Sequence, residues 1–141
     1  MVDISEKEIV PRRAEARGRI ILKKATVAAI RSGKVKKGDP LAVAEIACIQ
    51  AVKKTPELIP MCHNIPLDNV DAHFRVNDDS VEVRCSVTAT YRTGVEMEAL
   101  TGVSVGLLTI WDMVKYLEKD EQGQYPSTKI TDVTVTEKRK G

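Results

Sequence analysis

The stretch VDAHFRVNDDSVEVRCSVTAT, Val70–Thr90, alternates apolar and polar side chains on either side of the polar triplet Asn77-Asp78-Asp79. A period of two is the pattern of a half-buried strand. Two such runs joined by a short polar turn predict an antiparallel hairpin. The fold class follows from the elements predicted before and after this hairpin.

The stretch TGVEMEALTGVSVGLLTIWDMVK, Thr93–Lys115, follows the hairpin and predicts a long helix that is apolar almost all round its middle. Thr93 and Glu96 fit the capping-box template, in which the glutamate reaches back to the cap backbone. Ile130–Thr136 is rich in β-branched residues and predicts a closing strand. The basic residues that follow this strand are interpreted as a solvated tail.

The residues before the hairpin predict a strand and two helices. After a polar, extended start, Arg19–Leu22 is typical of a short strand, and Ala25–Arg31 predicts a short helix that stops at Gly33. Asp39 as N-cap and Pro40 at the first helical position begin a second, longer helix. A loop with two prolines, LIPMCHNIPLD, then leads into the hairpin, and its apolar residues predict that it packs against the protein.

The predicted order is therefore strand, helices, strand, strand, helix, strand. This βαββαβ order predicts an α+β ferredoxin-like sandwich, an antiparallel sheet with helices on one face. The chain of 141 residues has no linker or repeat, which predicts one domain over residues 1–141.

The composition, 43% hydrophobic and 30% charged, favours a soluble globular protein. Lysine and arginine number 22 and aspartate and glutamate 20, so a net charge of only +2 argues against a nucleic-acid module. Three cysteines without metal-type spacing indicate a reducing compartment. No signal peptide and no membrane span are visible, and we expect a cytoplasmic protein without a membrane partner.

The motifs of common nucleotide and metal enzymes are absent. The sequence has no P-loop, no dinucleotide-binding glycine motif, no nucleophile elbow and no zinc-type spacing of its two histidines. We expect no metal site and no required cofactor, although Mg²⁺ could accompany substrate phosphates. Any phosphate must then be held by lysine and arginine side chains.

Asp112 and Lys115 are the strongest candidate catalytic pair. They share a helix face, and an ordinary surface ion pair is the simpler interpretation. They follow a very apolar run, however, and a carboxylate and an ammonium in apolar surroundings would have shifted pKa values suited to acid–base chemistry.

Glu98 lies close to the helical stripe of Asp112, with Met97 on the other side of that line. The 14 residues between Glu98 and Asp112 correspond to about 21 Å along the helix axis, too far for one small-molecule site. An antiparallel second subunit would bring Met97 and Glu98 of one chain near Asp112 and Lys115 of the other.

Other candidates lie in loops and at helix ends. His63 and Cys62 sit in the proline-braced loop, with Cys62 interpreted as an apolar packing residue. Lys37 precedes a helix N-terminus, and Lys53 sits at a helix C-terminus where the helix dipole favours a cation. His73 is interpreted as an ordinary surface residue of a strand.

Three stretches together, with MVDIS at the start, identify a family: KKGDPLAVAEIACIQAVKKT, LIPMCHNIPL and TGVEMEALTGVSVGLLTIWDMVK. From Met1 to about Lys119 the chain resembles the MoaC family of molybdenum cofactor biosynthesis. The resemblance implies a phosphorus–oxygen lyase that converts (8S)-3′,8-cyclo-7,8-dihydroguanosine 5′-triphosphate into cyclic pyranopterin monophosphate with release of diphosphate. It also implies ferredoxin-like subunits in dimers and then hexamers, with sites at the dimer interface.

The same resemblance implies residue roles. It places Asp112, Lys115 and Lys37 in the catalytic site, and substrate contacts on Met61, Cys62, His63, Met97, Glu98 and Lys53. The chain departs from the family at Asn64, where proline is common, and at Trp111, where tyrosine is usual. Two other classes stay open from the sequence: an anion-binding module without catalysis, and a structural oligomer with the long helix as its interface.

Overall fold

A computed structural model describes all residues 1–141, and it has the predicted fold. The four strands form one antiparallel sheet in the order β2-β3-β1-β4. Helices pack on one face of this sheet, so the prediction of a ferredoxin-like α+β sandwich is confirmed. The elements are β1 (Val10–Ile21), α1 (Lys24–Ser32), α2 (Pro40–Lys53), α3 (Thr55–Leu58), β2 (Leu67–Val76), β3 (Ser80–Tyr91), α4 (Glu96–Glu118) and β4 (Lys129–Lys140).

Strand β1 is much longer than the predicted Arg19–Leu22. It pairs with β3 without interruption from Val10↔Tyr91 to Ile21↔Ser80. Its buried positions alternate, but they hold small residues, Ala14, Ala16 and Gly18, between exposed or half-buried charged ones. Small inward residues give a weak hydrophobic signal. The sequence of β1 is therefore polar in composition, although the strand lies in the centre of the sheet.

The core lies between the sheet and α4. The inward side chains of β3 are at most 1% exposed, and α4 packs across both central strands. The backbone of β1 approaches α4 closely at Gly18, where an added Cβ would lie 2.8 Å from Leu107 Cδ1. The inward side chains of β3 are Val81, Val83, Cys85, Val87 and Ala89.

Helix α4 begins later than predicted, and its cap differs. The N-cap is Val95, which makes no side-chain cap hydrogen bond, so the predicted capping box of Thr93 and Glu96 is wrong. Glu96 instead accepts a hydrogen bond from Lys138 Nζ at 3.3 Å. Lys138 belongs to β4, which continues to Lys140, so the basic end of the chain is an edge strand and not a solvated tail.

Helix α4 is also the one helix long and apolar enough to meet the length and hydropathy criteria for a membrane span. Eleven of its residues are buried, and the helix packs against the sheet and α2, as a core helix does. Two of its large apolar side chains, Met97 and Leu108, remain exposed.

The connections before the hairpin follow the prediction in most respects. Asp39 Oδ1 accepts hydrogen bonds from the backbone N–H groups at the start of α2, and Gly33 ends α1 with φ of 69°. In the proline-braced loop, Ile65 packs against the core. Met61 is 68% exposed, so the expected packing of the whole loop holds for only part of it.

Candidate active site

The C-terminal part of α4 holds a compact cluster of three charged side chains, called here the aspartate–lysine cluster: Lys37, Asp112 and Lys115. Lys115 Nζ lies 3.0 Å from Asp112 Oδ1, and Lys37 Nζ lies 3.1 Å from Asp112 Oδ2. Lys37 also donates to the backbone oxygen of Asp112 at 3.2 Å. Both carboxylate oxygens of Asp112 are thus paired with an ammonium.

The surroundings of this cluster differ from the apolar setting that the sequence predicted. The Asp112 side chain is 57% exposed in the single chain, and the lysines are 40% and 43% exposed. Hydrogen bonds from Lys115 and then Lys37 lower the pKa of Asp112, and the bond to Asp112 raises the pKa of Lys115. The pKa shifts therefore come from ion pairing, and at neutral pH they hold the pair as carboxylate and ammonium.

The N-terminal part of α4 holds a second group of ionisable side chains around Glu98. Glu98 is only 3% exposed and lines a cavity of about 360 Å³ together with Lys53 and Asn64. Burial, reinforced by the nearby charge of Glu96, raises the pKa of Glu98 to about 7. Glu98 can therefore exchange a proton near neutral pH, as an acid–base group must.

Three further predicted contact residues, Cys62, His63 and Met97, lie in the proline-braced loop and on α4. Cys62 is half-buried, and burial together with the charge of Glu98 raises the pKa of its thiol, which fits its interpretation as an unreactive residue. His63 Nε2 lies 2.7 Å from the backbone oxygen of Val2. Met97 is exposed, as is Met61 in the loop.

Sequence reasoning missed three cationic side chains near the start of α4: Arg12, Arg92 and Lys138. Arg12 is 8% exposed, and its Nη2 donates to the backbone oxygen of Arg92 at 3.4 Å. The Nε atoms of both arginines and Oε2 of Glu96 are buried without hydrogen-bond partners. Because most buried polar atoms are paired, these three atoms are exceptions within the single chain.

A signal for Arg12 was present but easy to miss. Extending the alternation of Ala14 and Ala16 back by two residues places Arg12 on the inward face of β1. Lys138 gives no comparable signal in the sequence, because its partner Glu96 is 42 residues away and also fits the capping-box template. His73 is exposed on β2, as the sequence predicted.

Within one chain the aspartate–lysine cluster and the group around Glu98 are not in contact. Glu98 and Asp112 lie on one continuous helix, about 21 Å apart along its axis at the usual rise per residue. The structure therefore brings Lys37 to Asp112 and Lys115 at one end of α4. It brings Lys53 and Glu98 to the same cavity at the other end, and the two groups remain separate. No set of three or more histidine, cysteine, aspartate or glutamate side chains is grouped closely enough to hold a metal ion.

The chain is thus a ferredoxin-like sandwich with ionisable side chains grouped at both ends of its central helix. Residues 1–141 match the MoaC family model, and the chain belongs to the MoaC family.

Several proteins similar to this chain carry the name "Probable cyclic pyranopterin monophosphate synthase". The protein of Thermococcus kodakarensis is 62% identical over 141 residues, covering 100% of this chain and 90% of the relative. That of Aeropyrum pernix is 60% identical over 141 residues, covering 100% and 97%. That of Thermoplasma acidophilum is 56% identical over 140 residues, covering 99% and 98%.

Proposed function

We propose that this chain is a cyclic pyranopterin monophosphate synthase of molybdenum cofactor biosynthesis. It converts (8S)-3′,8-cyclo-7,8-dihydroguanosine 5′-triphosphate into cyclic pyranopterin monophosphate and releases diphosphate. The relatives' shared name supports the reaction, and the observation that carries the mechanism is the Asp112 carboxylate held between two ammonium groups.

Asp112 and Lys115 serve as the acid–base pair. The five-membered ring of the purine must be hydrolysed open and the pyrazine ring of the pterin closed, and both changes need proton transfers. We assign proton acceptance to Asp112 and proton donation to Lys115, whose Oδ1 and Nζ atoms lie 3.0 Å apart. Glu98 provides a further group that titrates near neutral pH on the other side of the substrate.

Cationic side chains bind the phosphates. The cyclic phosphate forms by attack on the α-phosphorus while diphosphate leaves, so negative charge grows on the leaving oxygens. Lys37, Lys53 and His63 stabilise this charge, and the unpaired Nε of Arg12 offers a further donor. We expect no protein-held metal, and any Mg²⁺ would arrive bound to the substrate phosphates.

The active site is composite and lies at a two-fold dimer interface. An antiparallel copy of α4 places Met97 and Glu98 of one chain near Asp112 and Lys115 of the other, which bridges the separation of about 21 Å. Large apolar side chains on the outer faces of both long helices support this, since Ile46 is 61% and Leu108 57% exposed. The resemblance to the family extends the assembly to a hexamer, a trimer of dimers in the cytoplasm.

The test is product formation from the cyclised triphosphate. The wild-type chain should release diphosphate and cyclic pyranopterin monophosphate, and Asp112→Asn should lower turnover at least about 100-fold, the usual contribution of an acid–base group. Asp78→Asn, on the exposed hairpin turn, is the matched control. Full turnover by Asp112→Asn would refute the assignment of Asp112. Binding of the nucleotide by the wild type without any product would favour the non-catalytic anion-binding module.

A further inference from the structure

Tyr116 contacts the loop that carries Lys37. The backbone N–H of Lys36 donates to the Tyr116 hydroxyl at 2.8 Å. The Lys36 ammonium lies 5.4 Å from the centroid of the same ring. Tyr116 directly follows Lys115 on α4, so the hydroxyl joins the helix of the aspartate–lysine cluster to the residue before Lys37.

The loop between α1 and α2, which carries Lys37, makes few other hydrogen bonds to α4. Its backbone hydrogen bonds run from Lys34 N to Ala29 O of α1 and from Gly38 N to Val35 O within the loop, and neither attaches it to α4. The remaining hydrogen bonds between the loop and α4 are those that Lys37 itself makes to Asp112. The Tyr116 hydroxyl is therefore the polar anchor of this loop that does not involve the aspartate–lysine cluster.

We propose that Tyr116 is a positioning residue for Lys37. A lysine side chain has four rotatable bonds, and holding its ammonium in one place costs conformational entropy. Fixing the backbone one residue earlier restricts where Lys37 Nζ can reach and keeps it between the carboxylate and the backbone oxygen of Asp112. This inference rests on the role of Lys37 in the proposed function.

The test is a double-mutant cycle on the cyclised triphosphate. Tyr116→Phe keeps the ring and removes the hydroxyl, and it should lower kcat/KM about three- to tenfold, the range expected for loss of one hydrogen bond. In a Lys37→Ala background the same substitution should have no further effect, because the two residues act together. Tyr91→Phe, which removes a hydroxyl that makes no hydrogen bond, is the matched control and should equal the wild type.

A pH profile separates positioning from a merely structural role. Lys115 on α4 and Lys37 in the loop are the charged groups hydrogen bonded to Asp112, and both lower its pKa. Loosening Lys37 should therefore raise the pKa of Asp112 and move the acidic limb of kcat/KM to higher pH in Tyr116→Phe. Loss of stability alone would leave that limb in place.

Two outcomes would overturn the inference, and they are distinguishable. If Lys37→Ala is impaired while Tyr116→Phe matches Tyr91→Phe in rate and pH profile, the inference is wrong and the proposed function stands. If Lys37→Ala turns over substrate at the wild-type rate, the role of Lys37 in the proposed function is wrong, and the inference falls with it.

Discussion

The ammonium of Lys37 lies 3.1 Å from Oδ2 of Asp112, although 75 residues separate the two in the chain. This contact exists because the loop between α1 and α2 folds back onto the last turns of α4. It completes the pairing of a carboxylate whose other oxygen is held by Lys115. One consequence is that Asp112 stays ionised at neutral pH.

Mixed dimers should test the composite site. Glu98→Ala and Asp112→Ala chains should each be inactive alone, because each spoils both sites of its own dimer. After mixing by co-expression, half of the dimers pair one of each, and each such dimer has one intact site. We therefore expect about a quarter of wild-type activity from a two-fold dimer assembled at random.

The control for the mixing experiment is a chain that carries both substitutions, co-expressed with Asp112→Ala. Here no dimer can contain an intact site, so no activity should return. If Glu98→Ala with Asp112→Ala also recovers none, although an affinity tag on one chain co-purifies the other, the two residues do not share a site across the interface.

The stability of the protein should depend on the protonation of Glu98. Its pKa is about 7 in the folded protein against 4.5 for an ordinary glutamate, so the folded state binds this proton more tightly. The associated stability is fully present below pH 4.5 and is lost as the pH rises through 7. The loss should be on the order of 2–4 kcal/mol.

Glu98→Gln should remove this dependence. Thermal unfolding at pH 5 and pH 8 should show a smaller decline for Glu98→Gln than for the wild type, whereas Glu45→Gln, exposed on α2, should decline like the wild type. Equal declines in all three proteins would mean that Glu98 is not held at a raised pKa.

Glu118 should be essential for stability but not for the chemistry. It is fully buried at the end of α4 and accepts hydrogen bonds from Thr26 Oγ1, from Thr128 Oγ1 at 2.6 Å and from Lys23 N at 3.1 Å. Glu118→Ala leaves these donors unpaired, which should cost about 3 kcal/mol and lower the melting temperature by roughly 10 °C.

Differential scanning calorimetry would measure this loss, with Glu121→Ala in the exposed loop as control. The kcat of the folded Glu118→Ala protein below its melting temperature should stay near the wild-type value. A melting temperature unchanged from Glu121→Ala would show that the buried hydrogen bonds contribute little.

Two glycines of α4 should respond oppositely to alanine. At Gly102 an added Cβ would lie 2.7 Å from Val52 Cγ2 and 2.9 Å from Cys85 Sγ, so Gly102→Ala should push α4 from α2 and cost about 1–3 kcal/mol. At Gly106 the nearest atom is Val83 Cγ1 at 3.4 Å, an ordinary contact. Gly106→Ala should therefore be neutral or stabilise the helix by up to about 1 kcal/mol.

Urea unfolding of the two variants would check this pair. Gly102→Ala should also reduce activity, because the displaced turn is one turn from Glu98. Equal stability of the two alanine variants would mean that the helix packs less closely at Gly102 than the distances indicate.

Periodic patterns predicted most of the architecture. The hairpin, α2 with its Asp39 cap and the long α4 were visible because their residues alternate or repeat with a clear period and are bounded by turn and cap residues. The prediction failed at β1, where small inward residues conceal the pattern. It failed again at Glu96, whose carboxylate binds Lys138 of β4 instead of its own helix end.

By itself, the sequence determined the fold class, the residues that carry charge in the long helix and the family resemblance, since these depend on local periodicity and residue type. Only the tertiary structure decided that Lys37 meets Asp112, that Glu98 is buried beside Lys53, and that Arg12 and Lys138 lie near the start of α4. The physical reason is that pKa values and hydrogen-bond partners depend on burial and on distances between residues far apart in the chain. Helical spacing does not determine those quantities. Asp112 and Lys115, which the sequence alone presents as an ordinary surface pair, form a three-residue cluster because the α1–α2 loop places Lys37 beside Asp112.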